Sequence, residues 1–172
     1  MKTIQLLAAV SIPFVSFTLT LTAAEPPNPA IDYTKFAKLT AELEPVRARN
    51  RISEDEFLQM AKEPGTVILD ARSKDRFERI HVKGAIHLAF TDFTEEALLK
   101  LIPNKNTRIL IYCNNNFDNE PMDFARKSIT VALNIQTFIN LHAYGYENVR
   151  ELGPLLDVKT TKIPFETALL TK

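Results

Sequence analysis

The chain has 172 residues, 45% of them hydrophobic and 24% charged. That balance describes a globular domain with room for a sizeable core and excludes a disordered chain. Its 21 basic side chains are matched by 21 acidic ones, so charge leaves no footprint for nucleic acid or an anionic membrane surface.

Residues 1–24 read as an export signal. Lys2 supplies the positive start, Thr3 to Ala24 carry no charge, and Thr22, Ala23 and Ala24 place small residues at the cleavage positions. The rival reading is an uncleaved N-terminal anchor, because a spanning helix needs ~20 apolar residues. Pro13 and the scattered Ser and Thr count against it. The expectation is a periplasmic or secreted protein with no membrane span once the signal is removed. Export implies an oxidising compartment, yet the one cysteine, Cys113, cannot form an internal disulfide. The thiol is left for chemistry or for packing.

Residues 25–45 read as a Pro-rich linker followed by a helix over Tyr33 to Glu44, with Phe36, Leu39 and Leu43 on one stripe and Pro45 as its stop. Residues 46–172 form the expected domain. Arg47, Arg49 and Arg51 alternate with Ala48 and Asn50, which reads as the solvated face of a short edge segment; an anion-binding stripe is the lesser reading. Ser53 to Glu56 form a capping box that opens a helix to Ala61, with Phe57, Leu58 and Met60 as buried positions. Thr66 to Asp70 is a short apolar strand ending in a carboxylate, Phe77 to Ile80 a helical turn, and Ala85 to Phe90 a second strand after Gly84. Thr94 caps a helix over Glu95 to Leu101. Arg108 to Tyr112 is the third apolar strand, and Cys113 follows it directly. Leu133 to Tyr144 is helical, with Ile135, Phe138, Ile139 and Leu141 buried and Gly145 as its stop, and Val149 to Leu152 is the last strand. Short apolar strands alternating with helices predict an α/β fold whose central, mostly parallel sheet of about five strands is covered on both faces. Ligands of such sheets bind at the carboxyl ends of strands, where Asp70 and Cys113 both stand.

Three segments resemble the rhodanese-like family. Leu69-Asp-Ala-Arg72 with Phe77 and Ile80-His-Val-Lys-Gly-Ala-Ile86 resembles its first signature, Ile109 to Cys113 its cysteine-bearing strand, and Leu141 to Val149 its closing helix and strand. The resemblance implies a rhodanese-like three-layer sandwich. It also implies a sulfurtransferase in which Cys113 carries sulfane sulfur as a persulfide, exchanged between a small sulfane-sulfur donor and a nucleophilic acceptor such as a protein thiol. Neither cofactor nor metal is implied, and His81, His87 and His142 lack ligand spacing.

The segment after Cys113 departs from the family's short glycine-rich loop. It runs to the helix at Leu133 and holds no glycine. Asn114, Asn115 and Asn116 are expected to cradle the bound sulfur with backbone amides. Left-handed backbone there, which Asn tolerates, is one reading; an ordinary polar loop start is the other. Arg126 and Lys127 are the candidate electrostatic helpers, against Asp118, Glu120 and Asp123; solvated surface charge is the favoured reading of the loop. Phe117, Met122 and Phe124 give it an apolar side, read as an anchor ahead of a lid or partner surface, and a short helix is expected near Pro121 to Lys127. The competing function is a non-catalytic binding module that uses the loop to recognise a partner. Asp70 and Arg72 read as a structural pair.

Overall fold

A computed structural model describes residues 28–168, so the expected export signal lies outside the described residues. Every helix and strand described lies in the unit that begins at Tyr33. Among the described residues no helix is long and apolar enough to cross a membrane.

The elements in chain order are α1 (Tyr33–Asn50), β1 (Arg51–Ile52), α2 (Glu54–Ala61), β2 (Thr66–Asp70), α3 (Lys74–Arg79), β3 (His81–Val82), β4 (Ile86–His87), α4 (Glu95–Leu101), β5 (Arg108–Tyr112), β6 (Phe117–Asp118), α5 (Leu133–Ala143), β7 (Val149–Leu152), β8 (Leu156–Asp157) and β9 (Phe165–Glu166). Five strands form the central sheet in the order β1-β7-β5-β2-β4, and every pairing is parallel. Strand alternation divides the core into two layers. Ile109 and Ile111 join Leu43 of α1, Leu98 of α4 and Phe138, Ile139 and Leu141 of α5 on one face. Leu110 and Tyr112 join Phe57 of α2, Val82, Phe117 and Phe124 on the other. This is the three-layer α/β sandwich expected.

Five sequence readings need correction. α1 does not stop at Pro45 but runs through it to Asn50. Packing of Leu43 and Val46 onto the first layer, with an ion pair from Arg47 to Glu151, holds the final turn despite the N–H that proline lacks. Arg47 and Arg49 are therefore helical, at the end where positive charge suits the helix dipole, and only Arg51 enters a strand. Phe36 is exposed rather than buried. The second strand shrinks to Ile86–His87, because the chain turns at Phe90–Asp92 and Phe90 donates its N–H to the carbonyl of Ala71. No helix forms over residues 121–127; the region holds turns, followed by a single 3-10 turn at Ile129–Val131.

A buried polar knot closes the carboxyl end of the sheet. Asp70 and Tyr112 are register partners, and the Tyr112 hydroxyl donates to Asp70 while accepting the N–H of Val82 at 3.0 Å. The Arg72 guanidinium grips both Asp70 oxygens and also donates to the carbonyls of Ile80 and Asp123. It lies 4.5 Å from the centre of the Phe124 ring. Burial works against its charge, and Asp70 more than restores it. Burial first, then the neighbouring Asp70 charge, raises the Tyr112 phenol well above its ordinary value.

Arg72→Met leaves Asp70 charged, buried and without its cation, and should cost about 3–5 kcal/mol. Tyr112→Phe should cost about 1–3 kcal/mol, since the Val82 N–H loses its acceptor. Urea unfolding checks both; a smaller loss for Arg72→Met than for Tyr112→Phe would contradict this ordering.

Candidate active site

Cys113 continues β5 by one residue in extended conformation, with φ −147° and ψ −176°. Its side chain therefore leaves the sheet on the face of Ile111, toward the start of α5. The backbone N–H groups of Asn134 and Leu133, in the first turn of α5, and of Asn115 are directed at the thiol and favour its charged form. The Asn116 N–H reaches the same sulfur. A loop and a helix start thus converge on one atom, the arrangement that favours negative charge there.

Against this stands burial: Cys113 is only 1% exposed. Burial is the largest influence on the thiol and raises its pKa. The N–H groups of Asn134 and Asn115 pull it down, the Glu151 charge pushes it up, and the Leu133 N–H pulls it down; the net shift is upward. The net shift favours the protonated thiol.

The three asparagines act through their side chains. Asn114–Asn116 form a 3-10 turn, and Asn119 is the non-glycine residue with positive φ among those described. The left-handed backbone considered for residues 114–116 is not used. Asn114 Nδ2 donates to the Ala125 carbonyl at 2.8 Å. Asn115 donates to the Lys127 carbonyl and accepts the Lys127 N–H, both at 2.9 Å. Asn115 thereby takes the Lys127 N–H, and Arg72 the Asp123 carbonyl, the two groups that a helix over residues 121–127 would pair with each other. Asn116 is buried; its Oδ1 accepts the Cys113 N–H and the Asn134 amide, and its Nδ2 donates to the carbonyls of Leu152 and Pro154. Its side chain thus fixes the cysteine in place.

A cleft of about 300 Å³ opens beside the cysteine at the carboxyl ends of the strands. Arg72, Ser73, Arg76, Phe90, Asn114, Lys127 and Leu133 are among its lining residues, and Cys113 is not. Lys127 is therefore at the cleft. Arg126 is elsewhere: it pairs with Asp118 at 2.9 Å and lines a separate hollow with Phe117 and Glu120. Asp123 is taken by Arg76 at 3.1 Å. Most of the loop's acidity is thus locally compensated. Phe117 and Phe124 are buried in the second core layer and anchor the loop, whereas Met122 is exposed. Ser73, Arg76 and Phe90 had not been singled out from the sequence. The signal for them was their position just after the ends of β2 and β4, where a parallel sheet gathers its ligands. Among the described residues no three His, Cys, Asp or Glu side chains gather to hold a metal.

A family model for the rhodanese-like domain matches residues 53–153. No curated protein matches the chain. The crystal structure of the Alr3790 protein from Anabaena sp. is similar, with 20% identity and a TM-score of 0.50, over 70% of this chain and 95% of that one. The BH2092 protein from Bacillus halodurans matches with 16% identity and a TM-score of 0.50, over 75% and 85% of the two chains. At these identities the likeness extends to the fold.

Alkylation of native Cys113 should be slow at neutral pH and accelerate only above the ordinary thiol range, whereas the urea-unfolded chain reacts at the rate of a free cysteine. Equal native and unfolded rates at neutral pH would contradict this. The stability sign follows from the same shift: the folded thiol holds its proton more tightly, so this group favours folding below the unfolded pKa and loses that contribution as pH rises through the folded one. Asn116→Ala strands the Cys113 N–H and two carbonyls and should cost about 2–4 kcal/mol in urea unfolding; a loss below that range would contradict it.

Proposed function

The chain belongs to the rhodanese-like domain family, and on that premise we propose that it is a sulfurtransferase carrying sulfane sulfur as a persulfide on Cys113. The observation that carries this reading is the convergence of the Asn134, Asn115 and Leu133 N–H groups on the sulfur atom. An apolar packing position has no use for such donors, whereas a thiolate or persulfide anion does.

The transfer has two steps. Cys113 first loses its proton to water, and the thiolate attacks the sulfane sulfur of the donor. The new S–S bond forms as the donor's own bond to that sulfur breaks, with the electron pair leaving on the donor. An acceptor nucleophile then attacks the outer sulfur, and the electrons of the S–S bond return to Sγ. The covalent intermediate splits one difficult transfer into two easier ones. Arg76 and Lys127 give the cleft cationic side chains suited to an anionic donor, and Asn114 and Leu133 lie where cleft and thiol meet. Access to the sulfur requires the Asn114–Asn116 turn to shift, since Cys113 is 1% exposed. Lys2, the uncharged run to Ala24 and the small residues before Glu25 support export.

That same burial favours a second reading, a non-catalytic binding module with an inert thiol. Sulfur transfer from thiosulfate or a polysulfide to cyanide or a dithiol separates the two. The sulfurtransferase reading expects turnover that Cys113→Ser reduces to background. Undiminished turnover in the variant, or none in the wild-type chain, would overturn it.

A further inference from the structure

A buried polar cluster lies on the Cys113 side of the sheet, and sulfur transfer as described makes no use of it. Glu151 of β7 is 3% exposed, within a layer that is otherwise largely apolar. Its Oε1 accepts a 2.6 Å bond from Arg47 Nη2 of α1. Its Oε2 has no hydrogen-bond partner among the described residues, and neither do Arg47 Nε, Asn134 Oδ1 and Thr137 Oγ1. Burying a carboxylate in this half-satisfied state is costly, and packing alone does not require it.

The strand register places this carboxylate relative to the thiol. Glu151 pairs with Ile111 in the parallel β5–β7 ladder. Cys113 lies two residues beyond Ile111 in extended backbone, so the two side chains leave the same face of the sheet. Adjacent strands with ordinary rise and spacing set their β-carbons roughly 8 Å apart on a diagonal. The start of α5 supplies N–H groups to one side of the sulfur, and Glu151 places a negative charge on another.

We propose that the Glu151–Arg47 pair sets the reactivity of Cys113, the carboxylate opposing negative charge on the sulfur and Arg47 attenuating that opposition. This rests on reading Cys113 as a sulfur carrier. A persulfide anion between N–H donors and a partly neutralised carboxylate is bound, yet not so deeply that an acceptor cannot take its outer sulfur. Glu151 and Arg47 are positioning residues that act through charge. Arg47 precedes the family-matched segment 53–153, so α1 brings to the site a contribution from outside the region that defines the family. Other charges at this end of the sheet are accounted for separately. Asp70 and Arg72 bind each other, Arg76 binds Asp123, Lys127 lies on the cleft, and the first turn of α5 contributes none through Leu133 and Asn134.

The test is the pH profile of Cys113 alkylation in the full chain, compared among wild type, Glu151→Gln, Arg47→Met and the double variant. Glu151→Gln should lower the alkylation midpoint by about one pH unit, a roughly tenfold faster reaction at a fixed pH below it. Arg47→Met should move the midpoint upward, and the double variant should fall between the two single variants, because the two charges act on the sulfur in opposite directions. If Arg47→Met does not fold, Arg47→Lys should keep the wild-type profile, and Glu151→Gln still decides. An unchanged midpoint in Glu151→Gln overturns the proposal, even where melting temperature moves, since a structural pair alters stability alone. An Arg47→Met midpoint at or below that of wild type also overturns it. Alkylation reads the thiolate rather than sulfur transfer, so a wild-type chain that transfers no sulfur but shows the Glu151→Gln shift would sink the sulfurtransferase reading and leave the charge pair standing.

Discussion

A guanidinium shut away from water must find acceptors within the protein, and Arg72 finds them where the carboxyl end of the sheet meets the loop after Cys113. Its bonds to Asp70, Ile80 and Asp123 join the end of β2, the exit from α3 and the long loop. Phe124 packs against its face, and Tyr112, the residue before the cysteine, is tied to the same carboxylate. A buried pair of this kind adds little net stability over apolar packing, but breaking it is expensive. Its consequence is positional: the cysteine-bearing strand end and the loop beside it are fixed to one shared point.

With the loop anchored on one side by Arg72, the asparagine turn anchors it on the other. Asn114 and Asn115 hold the backbone of Ala125 and Lys127, and Asn116 holds Cys113, Asn134, Leu152 and Pro154 together. A short glycine-rich loop achieves amide convergence through backbone freedom. Here side-chain amides do the holding, and the cost is access, since the same bonds keep the sulfur buried.

Much of this was legible in the sequence. Strands such as Thr66–Asp70 and Arg108–Tyr112 are continuous apolar runs with β-branched residues, and the Ser53 capping box is a local signal that tertiary contacts had no reason to override. The Asp70–Arg72 pair and the place of Cys113 at a strand end followed from motif and strand order. Features that depended on distant partners were not legible. Helix α1 passes Pro45 because the sheet and Glu151 await its last turn, and residues 121–127 stay irregular because Asn115 and the distant Arg72 claim the Lys127 N–H and the Asp123 carbonyl that a helix there would pair. The split between Lys127 at the cleft and Arg126 on Asp118 separates adjacent residues of like charge, a distinction no pattern of charge along the chain carries.

The most direct test of Cys113 as a sulfur carrier is intact and peptide mass spectrometry after incubation with thiosulfate or a polysulfide. The predicted result is a gain of one sulfur atom on the Cys113 peptide, removed by a thiol reductant and absent from Cys113→Ser. A Cys113 that stays unmodified by these donors, under conditions where an alkylating agent labels it, would contradict the persulfide role.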